Sequence, residues 1–175
     1  MNDLETQLKA TIRDVPDFPK PGILFKDITP VLAQPRLLHA VTEHLAELYR
    51  KEKVDAVVGM ESRGFIFGAP LAMALGAAFV PARKPGKLPY DRVSEEYALE
   101  YGTARLDMHV DAVKKGERVL IVDDLIATGG TAVATANLVR KLGGDVVACA
   151  FVIELTFLDG RRALSPTRVD AIVRY

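Results

Sequence analysis

The sequence predicts an α/β fold in one domain, residues 1–175, with a mostly parallel sheet flanked by helices. Three observations predict it. Short apolar runs alternate with stretches of helical period along the chain. Two of those runs lead straight into turns of Gly, Ser and Thr that open helices. The composition, 49% hydrophobic and 26% charged over 175 residues, is that of a globular protein able to bury a core.

Leu4, Leu8 and Ile12 recur at helical spacing and open the chain with a short helix. An arm from Asp14 to about Val31 follows, where three prolines within six residues (Pro16, Pro19, Pro21) prevent continuation. A second helix is expected from about Leu37 to Lys51, with Leu37, Leu38, Val41, Leu45 and Leu48 on one stripe. Val54–Met60 is a buried strand, Phe65–Leu75 an apolar helix and Ala78–Pro81 another strand. Lys84–Glu96 is polar, rich in Pro and Gly, and is expected to be an irregular connection of the kind that forms lids. Arg118–Asp123 is a strand, Gly130–Leu142 a helix ended by Gly143-Gly144, and Asp145–Leu155 and Asp170–Tyr175 close the sheet. Strand and helix in alternation imply right-handed crossovers and a sheet covered on both faces.

Lys+Arg and Asp+Glu both number 23. A net charge of zero argues against a nucleic-acid or membrane-surface binder and confines any cationic site to a local cluster. No window approaches the roughly 20 apolar residues of a membrane-spanning helix. The N-terminus lacks a basic segment followed by an apolar one, so a cytoplasmic location is expected. The single cysteine, Cys149, lies in an apolar run and is expected in a core strand.

Val119–Thr131 is the most informative stretch. Four apolar residues carry a strand through the core, and Asp123 and Asp124 follow at its carboxyl end, where open α/β sheets place ligands. Gly129 and Gly130 let backbone N–H groups converge at a helix N-terminus, with the Thr128 and Thr131 hydroxyls beside them, forming an anion cradle without a lysine. Carboxylates repel phosphate but suit sugar hydroxyls or a divalent cation. Together they suggest a ligand with a sugar in the middle and a phosphate at one end. No Gly-x-x-x-x-Gly-Lys-Ser/Thr or Gly-x-Gly-x-x-Gly is present, which argues against an NTPase or a dinucleotide site.

Gly59–Phe65 also follows a strand and opens a helix, giving a second anion site with Arg63. Ser62 has Gly at −3 and +2 instead of −2 and +2, and His39, His44 and His109 offer no convincing partner, so a serine hydrolase is disfavoured. Arg83, Lys84 and Lys87 place three cations within five residues, which suits a polyanion.

The Val119–Thr131 stretch resembles the motif by which type I phosphoribosyltransferases bind 5-phosphoribosyl 1-diphosphate (PRPP). Phe18–Ile28, Ser62–Phe65, Arg83–Pro89 and Tyr97–Gly102 extend the resemblance to the adenine-specific phosphoribosyltransferases over nearly the whole chain. The resemblance implies the type I fold with an N-terminal hood over about residues 1–35 and a mobile lid over 84–101. It implies that Asp123 and Asp124 meet the ribose and that Ala127, Thr128, Gly129, Gly130 and Thr131 hold its 5-phosphate. Ser62, Arg63, Arg83, Lys84 and Lys87 would contact pyrophosphate, with one such cation supplied by the neighbour in a homodimer. Phe25 would stack on adenine, main-chain groups of Leu24 and Lys26 would read its edge, and Leu125 would close the opposite face. Arg63, Arg83 and Glu100 are the expected catalytic residues. Mg²⁺ would arrive with PRPP and water, with no direct protein ligand. The expected reaction is adenine + PRPP giving AMP + pyrophosphate. A phosphoribosyltransferase for xanthine or hypoxanthine/guanine, and a PRPP-sensing regulator, remain alternatives.

Overall fold

The computed structural model describes residues 3–98 and 102–175. Five strands form the central sheet: β3 (Ala56–Met60), β4 (Ala78–Ala82), β7 (Arg118–Ile126), β8 (Asp145–Glu154) and β9 (Val169–Arg174), in the order β4-β3-β7-β8-β9. Every pairing is parallel. Two antiparallel hairpins flank it, β1 (Arg13–Pro16) with β2 (Leu24–Asp27), and β5 (Arg92–Ala98) with β6 (Thr103–His109).

Side chains alternate across a strand, so each core strand feeds two cores. Val57, Leu120, Val122, Ala148 and Ala150 pack on one face with the helices α1 (Asp3–Thr11), α3 (Pro35–Tyr49) and α4 (Gly64–Leu75). Val58, Met60, Ile121, Cys149 and Phe151 pack on the other with α5 (Gly130–Lys141) and Leu106 and Met108 of β6. Cys149 is fully buried, as its apolar run predicts.

Pro35 starts α3 at a position where its missing N–H costs nothing. Its buried row is Leu37, Val41, Leu45 and Tyr49, spaced by four; Leu48, expected on that stripe, is exposed. Tyr49 takes the inward place because its hydroxyl donates to Asp170 Oδ2 at 2.6 Å. α4 ends at Gly76 in the left-handed conformation.

The arm from Asp14 to Val31 holds the β1–β2 hairpin and a one-turn helix, α2 (Thr29–Leu32). Two expectations need correction. The connection expected to be irregular through Glu96 is strand from Arg92 onward. Its polar sequence is tolerated because Glu95, facing α5, accepts from Asn137 at 2.8 Å and pairs with Lys141. Lastly, β7 does not end at Asp123 but runs to Ile126, paired with β8 throughout, so the two aspartates lie within the strand.

Candidate active site

β3 and β7 are neighbours, yet the chain leaves them in opposite directions: β3 leads through α4 to β4 on one side, and β7 through α5 to β8 on the other. Such a switch point opens a crevice between the two carboxyl ends, where open α/β sheets bind ligands. Two lobes occupy it. One is lined by Met60, Asp123, Leu125, Ile126 and the run Ala127–Ala132, closed by Phe151. The other is lined by Glu61, Ser62, Arg63, Lys84, Tyr97 and Leu106. Asp123 and Thr131 line both, so the lobes form one two-ended cleft with a carboxylate at the junction.

In the first lobe Gly129 stands at φ +85°, a conformation open to glycine without strain, and turns the chain into α5. No side chain caps α5 and no acidic residue lies in its first turn. Its leading N–H groups and positive dipole end are therefore available to an anion.

In the second lobe the Arg63 Nε donates to Asp124 Oδ2, across from β3 to β7. Burial works against the charge on Arg63, but the Asp124 carboxylate outweighs it, with Asp123 and Asp27 adding, and the guanidinium is held still more firmly charged. Asp123 is driven the other way. Desolvation at the cleft floor and then the Asp124 charge push its carboxyl well above the ordinary range, although Asp124 N–H donates to its Oδ1 at 2.9 Å. The cleft thus presents one carboxylate already paired with a guanidinium, Asp124, and one carboxyl, Asp123, that gains from a hydroxyl or cation partner.

Arg83 does not line this lobe. Its Nε lies 3.3 Å from Glu61 Oε2 and its Nη2 3.4 Å from Oε1, while Nη1 donates to Lys87 O at 3.2 Å. Lys84 N–H donates to the same Glu61 carboxylate at 2.9 Å, and Lys84 does line the lobe. Burial at the cleft edge opposes the Glu61 charge, but Lys84 N–H and Arg83 overcome it and hold its carboxyl below the usual range. Lys87 is exposed beyond the cleft. Among the described residues no three His, Cys, Asp or Glu side chains stand together to hold a metal ion.

Residues 27–171 match the phosphoribosyl transferase domain family. An adenine phosphoribosyltransferase of Sorangium cellulosum is 63% identical over 166 residues, 94% of this chain and 82% of that one. The chain belongs to the adenine phosphoribosyltransferase family. The crystal structure of adenine phosphoribosyltransferase from Thermoanaerobacter pseudethanolicus superposes with a TM-score of 0.94 at 52% identity, covering 97% of this chain and 99% of that one. That from Saccharomyces cerevisiae, complexed with D-2,5-dideoxy-2,5-imino-altritol 1,6-bisphosphate and adenine, gives 0.93 at 41%, covering 98% and 99%.

In this phosphoribosyltransferase the two motif loops come together as expected, but the hood residues stand apart from both lobes. Phe25 meets Phe18 edge-on at 5.1 Å between ring centres, and Leu24 is half exposed. The Lys26 ammonium is bound to Asp14 at 2.6 Å and lies 3.9 Å over the Tyr175 ring, so its side chain ties β2 to β1 and to the C-terminal residue. Leu125 lines the first lobe. Glu100 lies outside the described residues.

Two polar lining residues went unrecognised in the sequence, Glu61 and Tyr97. Glu61 sits one position before Ser62 but shows its role only through Arg83, 22 residues away. Tyr97 reaches within 3.4 Å of the Thr131 hydroxyl and packs on Gly130. An aromatic at an alternating strand position was the available signal.

Proposed function

We propose that this chain transfers the 5-phosphoribosyl group of PRPP to adenine, giving AMP and pyrophosphate. The observation that carries this reading is the two-ended cleft: an anion cradle at Ala127–Thr131, a second lobe bearing Arg63 and Lys84, and Asp123 between them. A sugar bearing phosphate at one end and diphosphate at the other spans that arrangement. The yeast relative's ligands, a bisphosphate imino sugar and adenine, support it.

The bond from ribose C1 to the diphosphate oxygen breaks as a purine nitrogen bonds to C1. Catalysis is then mainly positioning and electrostatic stabilisation of an oxocarbenium-like transition state. The open first turn of α5 and the Thr128 and Thr131 hydroxyls hold the 5-phosphate. Asp123 and Asp124 orient the ribose hydroxyls. Ser62, Arg63 and Lys84 hold the leaving diphosphate, and Arg83 and Lys87 reach it when the segment over residues 84–101 closes. Leu24, Phe25, Lys26 and Leu125 enclose the adenine. Glu100 provides a carboxylate near C1 or the base, where it stabilises positive charge or assists removal of the proton that the purine nitrogen loses; that proton leaves to solvent or with the pyrophosphate.

Mg²⁺ fits this site as a passenger of the ligand. It would be held through the oxygens of PRPP and through water, with no direct protein ligand. Bound there it would neutralise diphosphate charge and improve the leaving group.

The outer face of α4 supports a homodimer. Gly64–Leu75 contains no charged or hydrogen-bonding side chain, and it leaves Met73 83% and Ile66 39% exposed. A partner covering that face would stand beside the Arg63 lobe. No helix among the described residues is long and apolar enough to cross a membrane. A cytoplasmic setting is our reading; there the single, buried Cys149 would stay reduced.

Incubation with PRPP, Mg²⁺ and each purine base separately tests the reading. AMP from adenine alone is the expected result; GMP, IMP or XMP as the main product would reassign the base, and no nucleotide at all would refute the transfer.

A further inference from the structure

The stretch from Leu155 to Ala163 carries none of the motif residues and does not line the phosphate lobe, yet it packs as a wall behind the turn that does. Gly160 opens a one-turn helix, α6 (Gly160–Ala163), and is buried. A Cβ at Gly160 would run into the Ala127 carbonyl oxygen and stand 2.9 Å from Ile126 Cγ1 and 3.0 Å from Gly129 N. Reciprocally, a Cβ on Gly129 would lie 2.6 Å from Gly160 O and 3.3 Å from Ala163 Cβ. Two backbones therefore meet with no side chain between them, at the turn whose N–H groups form the cradle.

The wall is itself clamped. Arg161 donates from Nε to Glu154 Oε1 at 2.9 Å and from Nη2 to Oε2 at 2.6 Å, and its Nη1 donates to Val169 O. Glu154 is nearly buried at the end of β8, in register with Ile126, the last residue of β7 before the turn. Leu155 N–H donates to Ile126 O at 3.0 Å. A bidentate guanidinium–carboxylate pair fixes orientation as well as distance, so α6 is set relative to the strand end from which the phosphate turn departs.

We propose that Gly160 and Arg161 are positioning residues for the sugar 5-phosphate: Gly160 sets the curvature of Ala127–Gly129 from behind, and Arg161 holds Gly160 in place. This rests on the phosphoribosyl reading above. Convergent N–H groups lose their advantage with small displacements, since a shift of about 1 Å can cost about a hundredfold in a positioned site.

The test is calorimetric binding of ribose 5-phosphate, which needs the cradle, and of pyrophosphate, which needs the opposite lobe. Gly160→Ala is expected to weaken ribose 5-phosphate by about tenfold or more while leaving pyrophosphate unchanged. Arg161→Lys keeps the charge but cannot span both Glu154 oxygens, and it is expected to show a smaller loss with the same selectivity; it carries the test if Gly160→Ala does not fold. Equal ribose 5-phosphate affinity in the variants and the unaltered protein, or equal losses for both ligands, would overturn the proposal. Failure of the unaltered protein to bind ribose 5-phosphate is a separate result and would remove the phosphoribosyl reading itself.

Discussion

Gly64 lies directly against Asp123: a Cβ at position 64 would stand 3.1 Å from the Asp123 Oδ1 and 2.6 Å from the Val122 carbonyl oxygen. The first turn of α4 therefore approaches β7 as closely as backbone allows, and the cleft floor has no spare volume. Gly64→Ala is expected to cost about 1–3 kcal/mol through overpacking. It is also expected to lower PRPP affinity, because the strain falls on the carboxylate at the junction. Urea midpoints and PRPP titration together check this; a fully stable variant would show that α4 can move.

Asp123 is held above its ordinary pKa by desolvation and by Asp124. An acid so raised binds its proton more tightly folded than unfolded, so stability declines as pH rises from about 3.8 through the folded pKa and then levels off. Asp123→Asn lacks that decline. It is expected to raise Tm at neutral pH, by about 2–4 °C for each kcal/mol relieved, while lowering kcat/KM for PRPP about tenfold through the lost charged hydrogen bond. The Tm advantage is expected to shrink towards pH 3.8; an advantage independent of pH would contradict the assignment.

Glu61→Gln tests the diphosphate side. Gln still accepts from Lys84 N–H but cannot balance the Arg83 guanidinium. Arg83 is thereby freed for the diphosphate and one negative charge leaves the lobe. The pair is only partly buried, so the lower part of the range for charged hydrogen bonds applies, about a tenfold fall in the pyrophosphate inhibition constant. Ribose 5-phosphate binding is expected to stay the same, the opposite selectivity to that of Gly160→Ala.

Glu100→Gln is expected to lower kcat about a hundredfold, the low end for acid–base groups. Single-turnover kinetics provide the check, since they separate chemistry from product release. An unchanged chemical step would remove Glu100 from the mechanism.

The parallel sheet was legible because β3, β7 and β8 are apolar runs with no rival reading, and because the turn after β7 joins paired carboxylates to Gly129 and Gly130. The β5–β6 hairpin was not. Its facing side includes Glu95, satisfied only by Asn137 and Lys141. The opposite face carries Asp107, buried among Arg92, Arg105 and Ser94, whose hydroxyl donates to it at 2.7 Å. Polar residues of this kind break the alternation that identifies a strand, and their partners come from distant positions. The same holds within the site: the anion loops are contiguous and could be read locally, whereas Glu61 and Gly160 act through contacts that only the fold creates.

Cys149 has no exposed surface, and burial pushes its thiol up to about 12. Alkylating reagents need the thiolate, so at neutral pH they can reach this sulfur only after the central sheet has opened. The chain therefore carries its own reporter of global opening. Labelling rates at one atom, with no dye or tag introduced, can rank the substitutions above by how far each loosens the core.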